Sequence, residues 1–108
     1  MPQHIRICAL NELAPGSRRV VEINAFEEAL VVHHNGHIFA ISNICPHEGA
    51  ALQRGLIEDN IIYCPLHQWG FDLSTGVYIE APETCARVYT VEVRDRDLYL
   101  CIGPDEAS

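Results

Sequence analysis

A chain of 108 residues with a net charge of −8 has room for one domain with a modest core. It contains no lysine and seven scattered arginines, which excludes a basic nucleic-acid surface. No stretch is apolar for long enough to span a membrane, Met1–Arg6 lacks the apolar core of a secretory signal, and an odd count of five cysteines suits a reducing compartment, so the expectation is a cytoplasmic protein with no membrane partner.

In chain order, the pattern is that of short strands. Ile5–Leu10 is an apolar run stopped by Ala14-Pro15-Gly16-Ser17, and Arg18–Ile23 is a second strand. Ala29–His33 and His37–Ser42 flank Asn35-Gly36, the strongest short hairpin signal in the chain. Gly55–Ile57 and Ile61–Tyr63 bracket a turn at Asp59-Asn60. Phe71–Leu73 and Val77-Tyr78 bracket Ser74-Thr75-Gly76 as a further small hairpin. Arg87–Val93 alternates, with Val88, Thr90 and Glu92 on one side and Tyr89, Val91 and Val93 on the other. Asp95-Arg96-Asp97 then turns the chain into Leu98–Ile102, and Gly103–Ser108 reads as a loose tail. No segment keeps a helical period. The fold class is therefore all-β, a small antiparallel sandwich or barrel forming a single domain.

Chemistry concentrates between Ile44 and Phe71. Cys45 is followed by His47, and sixteen residues separate that pair from Cys64 and His67. Within each pair the spacing is too short for both side chains to point one way from a regular helix, so each pair belongs to an irregular loop. Structural zinc sites usually pair Cys with Cys and His with His. One thiolate and one imidazole per loop instead suit a two-iron centre in which one iron takes both cysteines and the other both histidines. A zinc-stabilised binding module remains the alternative from a different class.

The run Cys45-Pro46-His47 with Cys64-Pro65-Leu66-His67 resembles the fingerprint of the Rieske 2Fe-2S proteins. The resemblance implies Cys45, His47, Cys64 and His67 as cluster ligands, two loops at one tip of the antiparallel fold, and a third, proline-containing loop at Ala81-Pro82. It also implies histidine ligation through Nδ1, which leaves Nε2 able to titrate, so that the potential falls as pH rises. Respiratory Rieske proteins carry two more cysteines joined as a disulfide, and a Ser and a Tyr that hydrogen-bond cluster sulfur. The matching positions here are Ala50, Leu66, Trp69 and Phe71. Fewer such hydrogen bonds stabilise the reduced state less, which implies a potential near the bottom of the Rieske range, around −150 mV.

Among these proteins the chain resembles the ferredoxins of ring-hydroxylating dioxygenases. The function implied is that of a non-enzymatic carrier, taking single electrons from an NAD(P)H-dependent flavoprotein reductase and delivering them to a terminal Rieske non-haem iron oxygenase. The Rieske-like small subunit of a nitrite reductase is the alternative. The acidic balance suits transient docking on basic redox partners. Other residues carry blander expectations. Pro46 and Pro65 stiffen the loops, Gly49 and Gly70 permit turns or close approach, and Trp69 and Phe71 screen the site or pack the core. Cys8, Cys85 and Cys101 are expected as buried strand residues. His33, His34 and His37 should be solvated around the hairpin, and His4 should have no partner.

Overall fold

The structure, a computed structural model, describes residues 3–45, 51–65, 68–81 and 84–102. Nine strands are present among them: β1 (Gln3–Ala9), β2 (Arg18–Glu22), β3 (Glu28–His34), β4 (His37–Ser42), β5 (Leu56–Glu58), β6 (Ile61–Tyr63), β7 (Gly70–Asp72), β8 (Val88–Arg94) and β9 (Asp97–Ile102). Their pairings are antiparallel and build a six-stranded sheet, β1-β9-β8-β4-β3-β2, and a three-stranded sheet, β5-β6-β7. The helical segments among the described residues are two single 3₁₀ turns, Leu10–Glu12 and Leu52–Arg54. The all-β expectation holds.

Strand β3 shows why the molecule has two cores. Successive side chains of a strand point to opposite faces, and in Ala29-Leu30-Val31-Val32 all four are buried. Leu30 and Val32 pack with Ile41 of β4 and with Leu52, Ile62, Phe71 and Leu73 from the region of the small sheet. Ala29 and Val31 pack on the other side with Ile7, Leu98, Leu100 and Tyr89. A one-residue slip against β4 would exchange these two sets, so the register is tightly specified. Arg18 ties β2 to the small sheet, its guanidinium donating to the carbonyls of Gln53 and Gly55 at 2.8 and 2.6 Å.

Turn chemistry matches the tight turns. Asn35 and Gly36 have φ of 52° and 80°, and Asp59 and Asn60 have 52° and 65°. Positive φ at both central residues is the signature of the type I′ turn, whose twist suits a two-residue hairpin. Asp95 and Arg96 do the same between β8 and β9, at 49° and 70°. The expected hairpin at Ser74-Thr75-Gly76 is only partly regular. Its first arm is β7, while Val77 and Tyr78 form single bridges, to Cys85 and Phe71 respectively. The reason is that Val77-Tyr78 also serves as one wall of the following loop.

Three expectations need correction. Cys85 is exposed rather than buried, because it lies on that bridge at the rim of the fold. Cys101 is half-buried, and Cys8 alone of the three is fully buried. His4 has neighbours, with Glu92 Oε2 3.6 Å and an Arg94 nitrogen 3.3 Å from its Nε2. The hairpin histidines conform in part: His37 is exposed, His34 is half-buried, and half-buried His33 places Nδ1 2.9 Å from the Leu13 carbonyl oxygen. The expected tail at 103–108 lies outside the described residues.

Two glycines separate backbone strain from steric conflict. Gly36 has φ of +80° with open space where a Cβ would stand, whereas Gly76 has φ of +79° and a Cβ there would collide with the Ala86 carbonyl. Gly36→Ala is therefore expected to cost about 1 kcal/mol, the left-handed penalty alone. Gly76→Ala should cost at least about 1 kcal/mol more, since backbone must also shift. Urea unfolding midpoints of the two variants check the order, and equal losses would contradict it.

Candidate metal centre

Each cysteine of the motif opens a six-residue loop, and each loop is closed by an antiparallel pair. Residues 45–50 lie between Ile44 and Ala51, which form an isolated bridge. Residues 64–69 lie between Tyr63 and Gly70, the last pair of the β6–β7 hairpin, and the Cys64 amide donates to the Trp69 carbonyl at 2.7 Å. The first loop is anchored again by the Leu52 amide, which donates to the Asn43 carbonyl at 2.7 Å, and by the Asn43 amide, which donates to the Glu28 carbonyl at 2.9 Å.

Cys45 and Cys64 are 1% and 0% exposed and belong to the same apolar cluster, although nineteen positions separate them in sequence. Neither forms a disulfide. Two soft sulfur donors thus lie in one apolar cluster, where a thiolate would be costly to bury without a cation to balance it. That donor chemistry fits a thiophilic metal group. His47 and His67, the other two expected ligands, lie outside the described residues, as do Pro46, Gly49, Ala50, Leu66 and Pro82.

Aromatic side chains form the wall beside the cysteines. Trp69 and Tyr78 stack with centroids 4.1 Å apart and planes 5° from parallel, and Phe71 meets Tyr78 at 5.6 Å and 37°. Phe71 is fully buried and so is core, while half-buried Trp69 covers the edge. Gly70 between them is buried, and a Cβ there would meet Ile61, Tyr63 and Ile79 side chains at 3.0 Å each. Ala81 packs against the same cluster, from a loop held by the Tyr78 amide donating to the Thr84 carbonyl. Pro65 is exposed in the turn of the second loop.

Sequence reasoning missed the polar clamp behind the first loop. Asn43 is completely buried, and its Nδ2 donates to Glu28 Oε1 at 2.7 Å and Gln53 Oε1 at 3.0 Å. It thereby joins β3, the approach to Cys45 and the turn that follows the loop. An asparagine between Ser42 and Ile44 reads as an ordinary strand-end residue, and nothing local marks it as buried. Also missed was Asp72, which ends β7 and accepts from the Ser74 hydroxyl at 2.6 Å and the Ser74 amide at 2.8 Å. The Ser74 hydroxyl, followed by the opposing effect of burial and by backbone amides, holds this carboxyl below the usual range. Glu27 is likewise held low, first by Asn24 and also by Arg87 and Tyr89, which fastens the β2–β3 turn to the start of β8.

Removing the Asn43 side chain leaves Glu28 and Gln53 without their shared donor. Asn43→Ala should cost about 2 kcal/mol, the loss of two hydrogen bonds of which one is to a carboxylate. The Leu52 amide should also exchange faster than in the parent. Denaturant unfolding and hydrogen exchange check this, and an unchanged Leu52 exchange rate would contradict the clamp.

Residues 3–101 match the family model described as a Rieske-like [2Fe-2S] domain. The chain is 32% identical over 102 residues to the 3-phenylpropionate/cinnamic acid dioxygenase ferredoxin subunit of Photorhabdus laumondii, covering 93% of this chain and 95% of that one. It is 35% identical over 98 residues to the ferredoxin component of the naphthalene 1,2-dioxygenase system of Pseudomonas putida, covering 91% and 92%. Among solved structures it superposes with a TM-score of 0.81 and 26% identity, covering 90% and 91%, on a chain of the complex of reduced oxygenase and oxidized ferredoxin in carbazole 1,9a-dioxygenase. With two buried thiols at the heads of paired loops and a match along nearly its whole length, the chain belongs to the Rieske-like [2Fe-2S] domain family and carries one Rieske-type cluster.

Proposed function

We propose that Cys45, His47, Cys64 and His67 hold the cluster, and that the chain acts as a single Rieske domain, a cytoplasmic electron carrier with no catalysis of its own. The observation that carries this reading is the placing of Cys45 and Cys64, buried in one apolar cluster at the first positions of two closed six-residue loops. His47 and His67 occupy the third and fourth positions of those loops, so each loop has one nitrogen donor to offer. Bound there, the cluster takes up and returns one electron, and two imidazoles in place of two thiolates make it less negative and easier to reduce.

The chain's own residues do the rest. Phe71, Tyr78 and Trp69 exclude water from one side of the site. Paired backbone on both sides of each loop resists movement, which keeps reorganisation small when charge changes. Pro65 stands exposed on the second loop, and Leu56, 62% exposed, offers apolar contact beside it for a partner. A net charge of −8 favours rapid, salt-sensitive encounter with basic surfaces over permanent assembly. No helix among the described residues is long and apolar enough to cross a membrane.

The donor is a flavoprotein ferredoxin reductase fed by NAD(P)H, and the acceptor a terminal oxygenase of the Rieske non-haem iron class. Two relatives named as ferredoxin components of dioxygenase systems, and a solved complex of such a ferredoxin with its oxygenase, support this over the nitrite reductase alternative.

Cys45→Ser or Cys64→Ser should abolish the visible spectrum and the low-average-g paramagnetic signal of the reduced protein, while retention of the full parent spectrum would refute the ligand assignment. With Trp69 and Phe71 where hydroxyl donors to sulfur would stand, the midpoint is expected around −150 mV. Protein-film voltammetry measures it, and a value above about +100 mV would overturn the assignment to the low-potential carriers.

A further inference from the structure

Pairing register makes the outer face of the β1–β9–β8 half polar. Ile5, Leu100 and Val91 turn toward the second core, so His4, Cys101, Thr90 and Glu92 turn away from it. His4 stands directly across from Cys101 on the neighbouring strand, and Glu92 lies diagonally beyond, two residues from Thr90, which Cys101 faces. The Cys101 thiol donates to Glu92 Oε2 at 3.0 Å, and His4 Nε2 is 3.6 Å from the same oxygen. All three ligand atoms lie within 4.8 Å of one another, with His4 exposed and the other two half-buried.

We propose that His4 Nε2, Glu92 Oε2 and Cys101 Sγ form a second metal site, remote in sequence from the cluster loops, for one divalent ion of the zinc class with water as fourth donor. A tetrahedral zinc with Zn–S near 2.3 Å and Zn–N and Zn–O near 2.1 Å sets its donors roughly 3.3–3.6 Å apart. Sulfur and nitrogen already sit 3.0 and 3.6 Å from the carboxylate oxygen. Closing the third edge takes a swing of the exposed His4 ring by about an ångström. Binding replaces the S–H bond by an S–metal bond and releases that proton to solvent. Thiolate and carboxylate then balance the two positive charges. Calcium and magnesium, which prefer all-oxygen shells, are poorly served by this donor set.

Arg94 shapes the metal-free arrangement. Its Nε donates to Glu92 Oε1 at 3.0 Å, and its terminal nitrogen is 3.3 Å from His4 Nε2. A guanidinium has only donors, so it can pair with that histidine nitrogen only through the nitrogen's lone pair, the form that a metal also binds. The same positive charge opposes the ion and must swing aside. The bound ion would clip edge strand β1 to β8 and β9.

Calorimetric titration of zinc chloride into the cluster-loaded, chelator-washed protein tests this. The expected result is one equivalent bound, with about one proton released per ion, read from the dependence of the heat on buffer. Cys101→Ala and His4→Ala should each weaken binding at least roughly tenfold, since loss of even an outer-shell partner costs 10–100-fold. Arg94→Gln should tighten binding. The visible spectrum of the cluster should be unchanged in all three variants, which separates this site from the ligands in the loops. Amides of β1 should exchange more slowly when zinc is present. No zinc uptake by the parent, or equal affinity in Cys101→Ala and the parent, would overturn the proposal.

Discussion

Everything in this molecule depends on bringing two thiols from different loops into one buried apolar cluster. A buried thiol is tolerable, but a buried thiolate needs a counter-charge, so the apolar cluster that holds Cys45 and Cys64 suits the thiolate form only with a cation beside it. What positions the two loops is the pairing of Ile44 with Ala51 and of Tyr63 with Gly70, which fixes where each one begins and closes.

That pairing rests in turn on a division of labour between the two cores. The face of β3 carrying Leu30 and Val32 supports the small sheet and the cysteines, while the face carrying Ala29 and Val31 closes the large sheet on β1, β8 and β9. The second core needs no metal to be coherent. The first contains Cys45 and Cys64 together with the stacked Trp69 and Tyr78 and the fully buried Phe71. The arrangement lets a chain of 108 residues carry two six-residue loops and keep a defined fold.

Much of this was legible in the sequence, for physical reasons that differ by element. The Asn35-Gly36 and Asp59-Asn60 turns were readable because few residues tolerate positive φ, and the strands around them alternate with period two. The sequence singled out Cys45 and Cys64 because soft donors at short spacing have few uses, and the structure buries both in one apolar cluster. Asn43 was invisible because burial of a polar side chain depends on Glu28 and Gln53, fifteen and ten positions away. The neighbours of His4 were invisible for the same reason, since Glu92 and Arg94 reach it only through the register of β1 on β9 and of β9 on β8. Cys85 misled because an apolar, strand-like context does not say whether the strand lies inside or on the rim.

The central claim concerns asymmetry, with sulfur on one iron and nitrogen on the other. Paramagnetic resonance of the reduced protein, with nitrogen hyperfine couplings resolved and iron and acid-labile sulfide counted on the same sample, addresses it most directly. The account predicts two irons and two sulfides per chain, with couplings from two distinct imidazole nitrogens. Zinc in place of iron between the loops, or a two-iron signal with no imidazole coupling, would contradict it.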